Sequence, residues 1–170
     1  HYVASLKAQL LSKVQGCNII DISHEVQPFN LAEAAYYVNN VLEDFPEGTI
    51  HFIGVDHLPH VSIANDENNL YPVVMKLNGQ YFVGCDNGLF SLIKDFENAE
   101  EIVRIHDFSA KASLRFPTRN IYIPVIVALC EGKSLSEIGE PNPDIRKAFT
   151  QQPIVEENLI KGAVIHKDKY

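Results

Sequence analysis

Apolar residues at Val3, Leu6, Leu10, Leu11 and Val14 recur at helical spacing, so the chain opens on an amphipathic helix. Gly16 follows as its stop. Residues 18–22 read as a short apolar strand and 23–28 as a loop. Asn30 then stands as an N-cap with Glu33 three residues on, the spacing of a capping box, and a helix runs through Ala34, Ala35, Val38 and Leu42. A turn at 46–48 leads into a near-continuous apolar strand at 50–55, the pattern of a strand covered on both faces. Residues 70–77 and 81–85 are strand-like and joined by Asn78-Gly79, a strong hairpin signal.

Further along, 87–96 reads as a helix and 101–105 as a strand. The apolar run at 121–130 has helical length, with Gly132 to stop it, and 134–139 is a short helical turn that opens with a capping pattern. Residues 141–153 are richer in proline and polar side chains and read as a linker. Strands alternating with helices predict an α/β fold, a mostly parallel sheet flanked by helices with one antiparallel hairpin. Ligands in such sheets bind beyond the carboxyl ends of strands. That rule selects three loops, at 23–30, 56–60 and 86–88.

Composition narrows the function classes. Of 170 residues, 46% are hydrophobic and 21% charged, a globular balance. The net charge of −8 speaks against binding the phosphate backbone of a nucleic acid, and equally against docking on anionic membranes. No apolar run is long enough to span a bilayer. Cys17, Cys85 and Cys130 match neither a disulfide framework nor a zinc site, so free thiols in a cytoplasmic setting are expected. The chain enters a helix at His1 with no strand before it and closes in a polar segment at 167–170. Both ends are therefore expected to be cut ends.

Candidate chemistry sits on the selected loops. Asp56 leaves the strand at 50–55, where a carboxylate can orient water, accept a proton or bind ribose hydroxyls; a capping role is the plainer alternative. His57 and His60, with Asp56, are possible ligands for zinc or iron, although three ligands within five residues of one loop rarely enclose an ion. His24 follows the strand at 18–22 and either serves the site or bonds its own loop. Cys85-Asp86-Asn87-Gly88 leaves a strand with backbone N–H groups suited to an anion or a carboxylate; an N-cap with a glycine turn explains it as well. Arg119, before the apolar helix, suits a ligand carboxylate or a structural ion pair. There is no Gly-x-Gly-x-x-Gly, P-loop or Gly-x-Ser-x-Gly, so none of those phosphate or nucleophile devices is present.

Taken in order, Asp21-Ile-Ser-His24, Pro28-Phe29-Asn30, Ala34-Ala35, Phe45-Pro-Glu-Gly-Thr-Ile-His51, Val55-Asp56, Tyr81-Phe-Val83, Asp86-Asn-Gly-Leu89 and Arg119-Asn-Ile121 with Pro124 resemble the S-adenosylmethionine hydroxide adenosyltransferase family. That family also contains the S-adenosylmethionine-dependent fluorinase and chlorinase. The resemblance covers roughly residues 1–131. It implies an N-terminal α/β domain over 1–150 whose first strand is missing here. It further implies that 151–170 hold a linker and the start of a C-terminal domain, the family's β-barrel being absent. It implies a homotrimer with the ligand between subunits, S-adenosylmethionine as substrate or ligand, and no separate cofactor.

The family's reaction is attack of water or halide at C5′ of the ribose, with methionine leaving as a neutral thioether. In the hydroxide-using members an Asp, an Arg and a His surround the water. Asp56 matches the Asp, and halogenases carry Tyr there, so the resemblance favours water. The stretch Val55-Asp-His-Leu-Pro-His-Val-Ser-Ile63 holds no Arg, and Pro117 stands at the family's His position. The resemblance thus implies Asp56 as catalytic residue, with His57 or His60 replacing lost partners, and a ligand set of Phe29, Asn30, Asn87, Thr118 and Arg119. Within that set Phe29 matches an aromatic that packs on the ligand, and Thr118 a small residue at the nucleophile pocket. Three readings follow: a hydrolase making adenosine and methionine, a non-catalytic S-adenosylmethionine or adenosine module with a degenerate triad, and a metal-dependent hydrolase.

Overall fold

The computed structural model describes residues 1–55, 70–106, 116–142, 144–149 and 152–167. Its centre is a hairpin. β2 (Pro72–Leu77) and β3 (Gln80–Cys85) pair antiparallel. Asn78 and Gly79 both take positive φ, 51° and 70°, as a two-residue turn that follows strand twist requires. β3 also pairs parallel with β1 (Ile50–Phe52). On the far side β2 pairs antiparallel with β4 (Glu101–Ile105), and β4 with β5 (Gly139–Pro141). The sheet order is β1-β3-β2-β4-β5.

The sheet is therefore mixed rather than mostly parallel: among the described residues one pairing is parallel and three are antiparallel. The hairpin lies at its centre, with β2 wedged between two strands that run the same way. Such a sheet still needs cover on both faces, and β2 is buried along most of its length, with Val73, Val74 and Met75 at 0% exposure.

One face is covered by α2 (Leu31–Val41), which buries Ala34 and Val38 against Val73, Met75 and Phe82. The other is covered by α3 (Ile123–Cys130), α4 (Leu135–Ile138) and Leu10 of α1 (Tyr2–Lys13), packed on Val74, Val83 and Val103. The expected caps form. Asn30 Oδ1 accepts from the Glu33 N–H at 3.1 Å, and Ser134 and Glu137 close a capping box at the start of α4, each satisfying otherwise orphan helix donors.

Three expected elements differ. Residues 18–22 join no ladder among the described residues, and Ile20 is 68% exposed; an apolar run becomes a strand only where a neighbour offers backbone partners. Residues 87–96 are not an α-helix. Ile93 is extended and Asp95 left-handed (φ 61°), so the chain makes 3₁₀ turns at Leu89–Leu92 and Phe96–Asn98. The stretch read as a linker is partly docked. Ile145 is buried in the α2-side core, and the backbone N–H groups of Arg146 and Ala148 bond Asp86 Oδ1 and Ser91 Oγ at 2.9 Å. β6 (Ile154–Glu156) and β7 (Leu159–Lys161) form a separate exposed hairpin.

A buried polar pair locks β1 to β3. Gln80 donates both amide hydrogens, to the carbonyls of Leu42 at 3.1 Å and Phe45 at 2.9 Å. Its Oε1 is thereby left as acceptor for His51 Nε2 at 2.6 Å, which places the imidazole proton on Nε2. His51 stacks on Phe82, ring centres 4.8 Å apart, and burial pushes its pKa down. A proton is then taken up more readily by the unfolded chain than by the folded one, so stability falls as pH drops below the ordinary imidazole range of ~6.5. The urea midpoint should be lower at about pH 5 than at about pH 7.5, and His51→Asn should flatten that difference.

Candidate functional site

Because β2 is antiparallel to both neighbours, β1, β3 and β4 point the same way. Their carboxyl ends share one edge of the sheet, the location where ligands bind in open α/β sheets. The chain leaves β1 at that edge through Val55 toward Asp56, His57 and His60, which lie outside the described residues. Next to it β3 ends in Cys85-Asp86-Asn87-Gly88. Asn87 Nδ2 donates to the Val55 carbonyl at 3.0 Å, and its Oδ1 accepts from the Leu89 N–H at 3.0 Å. Gly88 permits this turn with φ 100°, a conformation L side chains rarely adopt.

Asp86 is buried, and its pKa is raised by burial, opposed by the Arg146 backbone bond, the Arg146 and Arg104 charges and Asn142. Its Oδ1 holds the docked segment at 144–149. Arg104 lies over the Tyr71 ring at 3.7 Å, a cation–π contact. The Arg104 Nε is buried without a hydrogen-bond partner among the described residues. Asp86 is therefore a structural latch, while Asn87 faces the neighbouring strand end.

The opposite face of the same edge carries a π-helical turn, Thr118–Tyr122. The cause is legible in one residue. Pro124 has no N–H to give, and the bonding register shifts, with Ile123 N–H bonding Thr118 O five residues back. Such turns are frequent at functional sites. Tyr122 points from it into the core at 0% exposure. Its ring meets Phe52 of β1 at 5.3 Å, and its hydroxyl bonds the Cys85 thiol at the end of β3. Burial pushes the Tyr122 pKa far up, so it works as a neutral strut.

The remaining expected residues fall as follows. Thr118 and Arg119 lie on the π turn, and Arg119 lines an open cleft with Ser5, Gln9, Ser12 and Lys13 of α1. Phe29 is 75% exposed with φ 64°, a costly backbone state for an aromatic residue. Asn30 caps α2, and its Nδ2 donates to Glu33 Oε2 at 3.1 Å. The 23–30 loop is tied to the core through Val26, which packs on the same cluster as Ile53 and Val55. His24 bonds Asp21 at 3.0 Å, and Lys7 pairs with the same carboxylate; together they lower the Asp21 pKa, Lys7 first.

Sequence reasoning missed Tyr122 and the π turn, for which Pro124 within an apolar run was the available signal. It also missed His166, whose Nδ1 sits 3.4 Å from Glu33 Oε1 and 3.3 Å from the Tyr37 hydroxyl. Nothing in the pattern pointed to that contact across 133 residues. Among the described residues no group of His, Cys, Asp and Glu is placed to hold a metal ion, and no helix is long and apolar enough to cross a membrane.

Residues 1–139 match the family described as SAM hydroxide adenosyltransferase N-terminal domain. The chain belongs to this family. It is 30% identical over 128 residues to the (R)-S-adenosyl-L-methionine hydrolase of Methanocaldococcus jannaschii, covering 73% of this chain and 46% of that protein. A hydrolase of the same name from Thermus thermophilus is 36% identical over 91 residues, 54% of this chain and 32% of the relative. A crystal structure of an uncharacterized conserved protein from Thermotoga maritima superposes with a TM-score of 0.76 at 30% identity, covering 91% of this chain and 59% of that one. The chain thus spans less than half the length of either hydrolase.

The strut at Tyr122 is directly testable. Tyr122→Phe removes only the hydroxyl and should cost about 0.5–1.5 kcal/mol. Tyr122→Ala opens a cavity between β1, β3 and the π turn and should cost about 3–5 kcal/mol. Both are read from urea denaturation.

Proposed function

We propose that this domain carries the nucleophile side of an S-adenosylmethionine site and that the whole protein hydrolyses S-adenosylmethionine to adenosine and methionine. The observation that supports the reading most is the shared sheet edge. There the Asn87 side chain bonds the Val55 carbonyl at the end of the β1 exit, and Tyr122 of the π turn packs on Phe52 of β1, in a chain whose family includes named hydrolases of this substrate.

In this reading Asp56 accepts a hydrogen bond from a water and aligns it with C5′. The C5′–O bond forms as the C5′–S bond breaks, the sulfonium takes the electron pair and departs as neutral methionine, and the water's proton passes to Asp56 or to solvent. The leaving group needs no acid, so alignment and removal of solvent carry the rate. His57 or His60 serves where relatives hold other partners, and Phe29, Asn30, Asn87, Thr118 and Arg119 border the ligand. S-adenosylmethionine is the only small molecule required, with no separate cofactor. The protein works in the cytoplasm as a homotrimer that completes each site from a neighbouring subunit.

A second reading, a binding module without turnover, is favoured by one observation. Pro117, at the family's His position, is buried at the start of the π turn and offers no side-chain donor.

Full-length protein incubated with S-adenosylmethionine should release adenosine, detected chromatographically, with no loss on adding a chelator. Asp56→Ala should slow release by at least ~100-fold. Tight binding of S-adenosylmethionine without adenosine would favour the module, and a chelator-sensitive rate would favour metal chemistry at Asp56, His57 and His60.

A further inference from the structure

We propose that residues 162–167 form a strap that sets the 23–30 loop, with His166 as its anchor and the buried Glu33 as the shared partner of both. The coupling rests on geometry. Its effect on ligand affinity rests on the S-adenosylmethionine reading above.

Among the described residues of 152–167, His166 alone is not exposed. Its apolar neighbours are left outside: Val164 is 85% exposed and Ile165 51%. The β6–β7 hairpin before it pairs with no other described strand, and a two-stranded hairpin is marginal on its own. Apolar burial therefore does not hold this segment, and a histidine does. The His166 side chain is only 16% exposed. Its ring stacks on Tyr36 with centres 5.5 Å apart and meets Tyr37 edge-on at 5.0 Å. Its Nδ1 lies 3.3 Å from the Tyr37 hydroxyl and 3.4 Å from Glu33 Oε1.

Glu33 stands in the first turn of α2, its side chain 11% exposed. A carboxylate so far from water needs donors around it. Oε2 accepts from the Gln27 N–H at 3.2 Å and from Asn30 Nδ2 at 3.1 Å. Oε1 faces His166. The two oxygens belong to one planar group, so the angle at which Oε1 meets His166 also fixes where Oε2 stands. The loop needs that hold, because Phe29 keeps φ 64°, a strained state that persists only where its surroundings impose it.

The link requires a proton on Nδ1, which the neutral Nδ1–H form and the imidazolium both supply. When the strap lifts, Oε1 turns to water, Oε2 swings with it, and the Gln27 N–H loses its partner. The loop carries Phe29 and Asn30, both assigned to the ligand in the reading above. Strap and ligand then favour the same state of the loop. Such coupling is reciprocal, so the ligand should also hold the strap down.

The test uses full-length protein with His166→Ala and His166→Phe. The second keeps a ring against Tyr36 and Tyr37 and loses the donor to Glu33. Amide hydrogen exchange in a peptide spanning 24–31 is expected to speed up about 5-fold or more in both variants. Exchange at 152–167 should speed up in His166→Ala, while exchange in β2 and β3 stays at the wild-type rate. The Kd for S-adenosylmethionine should rise about 5-fold, and saturating ligand should slow exchange at 152–167 in the wild type. Wild-type exchange at 24–31 in either variant would overturn the proposal: in His166→Ala it removes the coupling, and in His166→Phe it removes Glu33 from it. So would an unchanged Kd in a protein that binds. If the wild-type protein binds no S-adenosylmethionine, the reading above fails by itself. Exchange at 24–31 then decides the strap, faster exchange upholding it and unchanged exchange refuting it.

Discussion

The arrangement depends on β3 being paired on both sides, parallel to β1 and antiparallel to β2. Parallel pairing sets the carboxyl ends of β1 and β3 next to each other, and antiparallel pairing through β2 returns β4 to the same direction. Three chain exits then open at one edge. Every residue placed near the candidate chemistry owes its neighbourhood to that edge: Asn87 because β3 stops there, Val55 because β1 does, and Tyr122 because α3 packs over Val83 and Val74.

Polar groups bought into the interior do the work of register. Apolar packing alone tolerates sliding, because many hydrophobic surfaces fit roughly. Gln80 and His51 satisfy each other and two carbonyls only when β1 and β3 align as they do. Asp86 in turn fixes the segment at 144–149 over the α2 face. Such groups are costly when unpaired, and that cost is what makes them specify one alignment.

Much of this was legible in the sequence. Asn78-Gly79 announced the hairpin because only residues tolerant of positive φ build that turn. Asn30 and Glu33 announced the start of α2 because short polar side chains satisfy helix donors. The mixed sheet was not legible: hydrophobic patterns reveal that a strand is buried, and not which neighbour it bonds. Residues 18–22 were misread for the same reason, their apolar character being real while no described strand pairs with them. At the site, Asn87 was visible as a polar residue at a strand end, but its grip on Val55 joins positions far apart in the chain. Tyr122 hid inside an apolar run, where only Pro124 hinted that the helix opens in a π turn. Asp56, His57 and His60 lie outside the described residues, so their part rests on the strand that delivers them and on the family.

The central claim is that the edge shared by β1 and β3, under the π turn, receives S-adenosylmethionine. A crystal structure of the full-length protein with this ligand tests it most directly. The account predicts the ribose C5′ beside Val55-Asp56, with a water on the Asp56 carboxylate in line with the C5′–S bond. Ligand bound away from the β1–β3 edge, or with C5′ turned away from Asp56, would contradict it.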